Sequence, residues 1–223
     1  MSVLVAATRN AHKVRELRAL LGPLHTCYCL AEFPGSPNTI ENAATFEGNA
    51  QKKAVELAQW LALEAGCERL PALGVPPAAK PLVLADDSGL EVDALEGAPG
   101  VFSARFAADP AQAQGNCSDA ENNAKLLRLM ASVPLEKRTA RFRCVLALLE
   151  STRPADPPRL FSGVCEGHVE FSPRGTGGFG YDPLFLPQGY NQTLAELGET
   201  AKNRISHRAR AIQELQRFLA GPT

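Results

Sequence analysis

Val3-Leu4-Val5-Ala6-Ala7, then Thr8-Arg9-Asn10, then His12 to Leu21 with Val14, Leu17, Leu20 and Leu21 on one face, reads as strand, polar turn and helix. Gly22-Pro23 stops that helix. A strand fed through a short turn into an amphipathic helix is the opening unit of an α/β fold. Outward from it, the pattern predicts a strand over 26–30, a loop over 34–44, an Ala-rich helix over 50–64 and a short apolar strand over 82–85. Further on come a helix over 120–133 with Leu126, Leu127 and Met130 inward, two strands over 139–149 and 161–171 around a loop, and a closing helix over 203–219. The expectation is a central mixed twisted sheet with helices on both sides. Residues 1–223 form one domain in this reading, with a Pro-rich surface insertion at about 66–81 carrying prolines 71, 76, 77 and 81.

Composition narrows the function. The 223 residues carry a formal net charge of −1, with 45% hydrophobic and 21% charged residues. A general nucleic-acid binder needs a basic stripe for phosphates, so neither that role nor a membrane role is expected. Six cysteines stand at 27, 29, 67, 117, 144 and 165. Only Cys27 and Cys29 are close, which is weak as a metal site. Cys144 and Cys165 lie in strand-like runs as buried thiols, and the expected setting is reducing and cytoplasmic.

Four clusters carry chemistry. Asp86-Asp87-Ser88-Gly89 follows the apolar run 82–85 directly, so two carboxylates stand at a strand end. They read either as a solvated turn or as ligands for a divalent cation at a sheet edge. Neighbouring residues on an extended chain face opposite ways, so the two carboxylates have different tasks. On this pattern alone, which of the two would face a metal stays open. Thr8-Arg9-Asn10-Ala11-His12-Lys13 leads into a helix N-terminus, where free N–H groups attract phosphate, although Asn10 also suits a plain helix cap. Gly175-Thr176-Gly177-Gly178-Phe179-Gly180-Tyr181-Asp182 is too aromatic for a flexible linker and suits stacking on a planar base. Lys202-Asn203-Arg204-Ile205-Ser206-His207-Arg208 reads as a basic opening of the last helix, a poor match to the helix dipole unless anions are near. Glu41 or Glu47 could complete an oxygen-rich metal shell with Asp87.

In this order the motifs resemble the inosine triphosphate pyrophosphatase (HAM1-like) family. The matching blocks are Ala7-Thr8-Arg9-Asn10 with Lys13, Thr45-Phe46 with Asn49-Ala50, and Ala85 to Leu90 with Val92-Asp93. Gly97 to Phe106, Gly177 to Phe185, and Ser206-His207-Arg208 complete the set. Two departures stand out. Arg9 replaces the family's usual glycine, and Gly48-Asn49-Ala50 replaces its usual Glu-Asn-Ala, so Glu41 aligns better than Glu47 with the metal-side glutamate.

The resemblance implies two lobes around an active-site cleft, a homodimer, and Mg²⁺-dependent hydrolysis of ITP, dITP and XTP to monophosphate and pyrophosphate. It implies Mg²⁺ on Glu41 and Asp87, with Asp87 as general base. Thr8, Asn10, Lys13 and Lys202 would hold phosphates, with Arg9, Ala11 and His12 in the same loop, and Ser88 would touch substrate. Phe179, Gly180, Tyr181, Asp182, His207 and Arg208 would enclose the base. Donors matched to a 6-oxo group disfavour adenine, by roughly 10⁴ in well-built sites. The alternatives are a house-cleaning pyrophosphatase for other modified nucleotides and a nucleotide-binding module without turnover.

Overall fold

The computed structural model describes residues 2–76, 78–109 and 115–221; the side chains of 64–67, Cys67 among them, lie outside the described residues. The chain gathers into two compact units. One comprises 1–87, 145–162 and 211–223, and the other 88–144 and 163–210. The strands form a six-stranded sheet in the order β2-β1-β3-β4-β5-β6.

In the first unit, β1 (Ser2–Ala6), α1 (Ala11–Leu21) and β2 (His25–Cys29) form a right-sized strand–helix–strand crossover, which is why β1 and β2 pair in parallel, Ser2 beside His25 and Ala6 beside Cys29. The connection through α2 (Phe46–Ala62) and α3 (Glu64–Ala72) returns the chain to β3 (Leu82–Val92), parallel on the other side of β1. Leu4, Val5 and Ala6 are fully buried, as a strand covered on both faces requires. Val14, Leu17 and Leu21 of α1 are buried, as are Phe46, Ala50, Ala54, Leu57 and Leu61 of α2.

The second unit holds its own core, built from Leu90, Val92, Leu126, Met130, Phe142, Val169, Tyr181, Leu184 and Phe185 among others. The hairpin strands β4 (Thr139–Glu150) and β5 (Arg159–Val169) span both units, and β5 pairs antiparallel with β6 (Phe185–Pro187). The sheet is therefore mixed, as expected. α4 (Asp119–Leu129) and α5 (Leu194–Ile205) belong to this unit, and α6 (His207–Ala220) begins in it. Within β3, Gly89 passes so close to the 100–103 turn that an added Cβ would lie 2.3 Å from Ser103 Oγ and 2.5 Å from the Gly100 carbonyl.

Three sequence expectations need correction. The strand at 82–85 does not stop at the aspartates: β3 runs eleven residues through Asp86-Asp87-Ser88-Gly89, so the turn reading fails. The stretch from Gly66 is not wholly irregular, because α3 continues to Ala72 with Pro71 inside it; Val75 beyond it is buried. The closing helix is two helices. Lys202 and Arg204 occupy the last turn of α5, where cations favour the dipole, and Ser206 adopts an extended conformation. Ser206 Oγ then accepts the Ala209 N–H, capping α6.

Candidate active site

Asp86 and Asp87 sit consecutively on β3 at 2% and 5% exposure, so each needs a partner. The pleat sends them to different helices. Asp86 Oδ1 accepts from Lys13 Nζ of α1 at 2.6 Å. Asp87 Oδ1 accepts from Lys53 Nζ of α2 at 2.9 Å, and Asp87 Oδ2 accepts from Asn49 Nδ2 at 3.1 Å. Neighbours on a strand point to opposite faces, so α1 and α2 flank β3 on opposite sides. Helix placement and the division of labour between the carboxylates are thus one fact.

Lys53 is the hub of this cluster. Its ammonium also donates to the Asp86 carbonyl at 2.7 Å and lies 3.4 Å from Glu41 Oε2. Three carboxylates (Glu41, Asp86, Asp87) against two ammonium groups (Lys13, Lys53) leave one net negative charge when all are ionised. Burial pushes Asp87 up to about 6 despite the lysines, while burial opposes but does not prevent the lowering of Glu41 by Lys53. The two carboxyls are therefore driven apart, and Asp87 is the one suited to exchange a proton near neutrality. Among the described residues no group of three or more His, Cys, Asp or Glu side chains is arranged to hold a metal ion. Glu41 and Asp87 offer two anionic oxygen donors, and Glu47 instead occupies the first turn of α2.

The phosphate-loop candidates divide. Asn10 caps α1, its Oδ1 accepting the His12 and Lys13 N–H groups, and Thr8 Oγ1 accepts the Asn10 N–H. His12 reaches Arg15 through Nδ1, and Ala11 opens the helix. Arg9, which replaces the family's usual glycine and so could either alter the loop geometry or add a cation near the phosphates, places its guanidinium on Ser36 O and Oγ, both at 2.9 Å, and on Pro37 O. It ties the turn after β1 to the loop leading to Glu41.

The second unit holds the other cluster. Lys202 Nζ meets Asp182 Oδ2 at 2.5 Å, both groups being buried. The same oxygen accepts the Phe179 N–H at 2.9 Å. Lys202 Nζ lies 4.6 Å from the Phe179 ring centroid and Arg208 Cζ 5.9 Å. Arg208 is 1% exposed and donates to Ser88 Oγ at 2.8 Å, so Ser88 orients a cation. His207 stacks on Phe142, centroids 4.8 Å apart. Gly178 has a φ of +74°, and a Cβ there would fall 2.0 Å from Asp182 Oδ2. Tyr181 departs from expectation: its ring joins the core and its hydroxyl donates to Ser103 O at 2.9 Å. Its side chain anchors the loop from below.

These clusters also contain Asn49, which the sequence offered only within a matching block, and Lys53, Asp119 and Asn123, to which it assigned no role. Asn49 and Lys53 lie on the buried face of α2 beside Phe46 and Ala50, and a lysine inside an apolar stripe was the available signal. Asp119 and Asn123 of α4 both bond to Gly180, which no local pattern announces.

The description "Ham1 family" matches residues 4–218. A dITP/XTP pyrophosphatase of Geobacter sulfurreducens is 47% identical over 220 residues, spanning 98% of this chain and 97% of that protein. One from Desulforamulus reducens is 45% identical, over 97% and 94% of the two chains. Among solved structures, a HAM1 protein from Coxiella burnetii superposes with a TM-score of 0.79 at 35% identity, covering 100% of both chains. The Staphylococcus aureus Ham1 protein gives 0.77 at 32% identity over 99% of each.

Proposed function

The chain belongs to the Ham1 family, and from that premise we propose that it hydrolyses the non-canonical purine nucleotides dITP, ITP and XTP to monophosphate and pyrophosphate. The observation that carries the chemistry is Asp87: a buried carboxylate whose proton affinity is raised, beside a second carboxylate held ionised. Asp87 takes a proton from water, the water oxygen bonds to the α-phosphorus, and the α–β bridging P–O bond breaks. Pyrophosphate departs with the electron pair. Lys13 and Lys53, each now on a carboxylate, supply positive charge for phosphate oxygens. Thr8 and Asn10 shape the turn that presents Lys13.

The donor set fits magnesium. Glu41 and Asp87 direct oxygens at one shared cation, Lys53 Nζ, and hard anionic oxygens are what Mg²⁺ takes beside phosphate and water. When bound there, Mg²⁺ supplies neutralisation of phosphate charge. The working form is assigned as a cytoplasmic homodimer; light scattering on the purified protein reads the mass. Among the described residues no helix is long and apolar enough to cross a membrane.

Base choice follows from the donors. Lys202 and Arg208 present N–H groups only, and Phe179 provides an apolar face close to both. Exocyclic oxygens of hypoxanthine and xanthine accept from such groups, whereas the adenine amino group cannot. Asp87→Asn tests the assignment: hydrolysis of dITP should be lost while dITP binding, read by calorimetry, persists. An Asp87→Asn protein that still turns over at the wild-type rate removes Asp87 as base.

A further inference from the structure

We propose that Asp119 and Asn123, on α4, are positioning residues that set purine discrimination by fixing Gly180, an inference that rests on the function proposed above. Asp119 and Asn123 are one helical turn apart and so share a face. Both peptide groups of Gly180 end on that face. The Gly180 N–H donates to Asp119 Oδ2 at 2.6 Å, and the Gly180 carbonyl accepts from Asn123 Nδ2 at 3.0 Å.

Gly180 is the point at which such a clamp matters. Its φ is +64°, and a Cβ built on it would meet nothing within 4 Å, so packing does not dictate its conformation. On its C-terminal side Tyr181 is anchored through its hydroxyl to Ser103 O. On its N-terminal side Phe179 carries the ring that Lys202 and Arg208 approach. The two Gly180 peptide planes therefore fix where the Phe179 ring stands relative to those donors. They also occupy the Gly180 N–H and one of the two lone pairs of its carbonyl.

The platform beneath is stiff. Ser118 and Glu121 form a reciprocal cap at the start of α4. Asn122 accepts from the Ala107 N–H at 2.8 Å and donates to the Ala104 carbonyl at 3.2 Å, and Leu126 is fully buried. Asn123 Oδ1 is buried without a hydrogen-bond partner among the described residues. Turning the amide over would set that oxygen against the Gly180 carbonyl, so the bond donated by Nδ2 fixes the orientation.

The test measures kcat and KM for dITP and dATP with wild type, Asp119→Ala, Asn123→Ala and Asp119→Asn, each checked for fold by circular dichroism and melting. Loss of a fixed hydrogen bond is expected to cut the dITP-over-dATP preference in kcat/KM by about tenfold in either alanine variant. The change should appear in KM for dITP, with kcat little altered. Asp119→Asn keeps an oxygen acceptor and should recover most of the preference. Folded alanine variants with unchanged preference, or an equal fall in kcat for both nucleotides, overturn the inference. A wild type with no preference for dITP overturns the proposed function as well, so the two failures are distinguishable.

Discussion

Replacing Lys53 by methionine removes a cation in contact with both Asp87 and Glu41 while roughly keeping the volume. At 2.9 Å the Lys53–Asp87 attraction is about 6 kcal/mol for an effective dielectric of about 20. Glu41, 36% exposed in its side chain, is screened and adds a smaller share. Desolvation of the lysine offsets part of this, and removing one partner of a buried pair typically costs about 3–5 kcal/mol. Urea unfolding of metal-free wild type and Lys53→Met at pH 8 should therefore show a loss of about 3 kcal/mol or more. The cause can be isolated. Adding Asp87→Asn to Lys53→Met removes the stranded carboxylate, so the double variant should be more stable than Lys53→Met itself. A Lys53→Met protein within about 1 kcal/mol of wild type, or a double variant no better than the single, refutes the electrostatic reading of this cluster.

In the metal-free protein Asp87 is pushed from 3.8 to about 6, so its contribution to stability is full below its unfolded value and is lost as pH rises through about 6. Glu41 is lowered and acts in the opposite sense only below its ordinary 4.5, so denaturation with chelator should show stability falling by about 2 kcal/mol between pH 4.5 and 7. Gly178→Ala forces a Cβ onto Asp182 Oδ2 at positive φ, and melting plus kinetics should show a loss of about 1–3 kcal/mol and a raised KM for dITP. Arg9→Ala gives up its bonds to Ser36 and Pro37, costing about 1 kcal/mol, yet inhibition by pyrophosphate should stay within about threefold because the guanidinium does not serve phosphate.

Where local pattern and burial agree, the sequence was legible. The first strand, turn and helix follow from apolar continuity and a 3.6-residue stripe, and the opposite orientation of Asp86 and Asp87 follows from the two-residue period of a strand. The continuation of β3 through those aspartates was not legible, because a charged pair belongs in a strand only when distant lysines neutralise it. Lys13 and Lys53 come from 73 and 34 residues away. The division at Ser206 had a local signal, a serine before a helical run, but the basic residues around it suggested one helix start. Arg9 and Tyr181 lie in motifs singled out for a ligand, yet their side chains bond Ser36, Pro37 and Ser103, a distinction that sequence patterns do not carry.

The central claim is the activity itself. Incubating the purified protein with Mg²⁺ and, separately, dITP, XTP, dUTP and dGTP, then measuring pyrophosphate and monophosphate, tests it most directly. The expected result is stoichiometric pyrophosphate and monophosphate from dITP and XTP, with dUTP and dGTP far slower. A preference for dUTP, release of orthophosphate in place of pyrophosphate, or binding of dITP without turnover would contradict it.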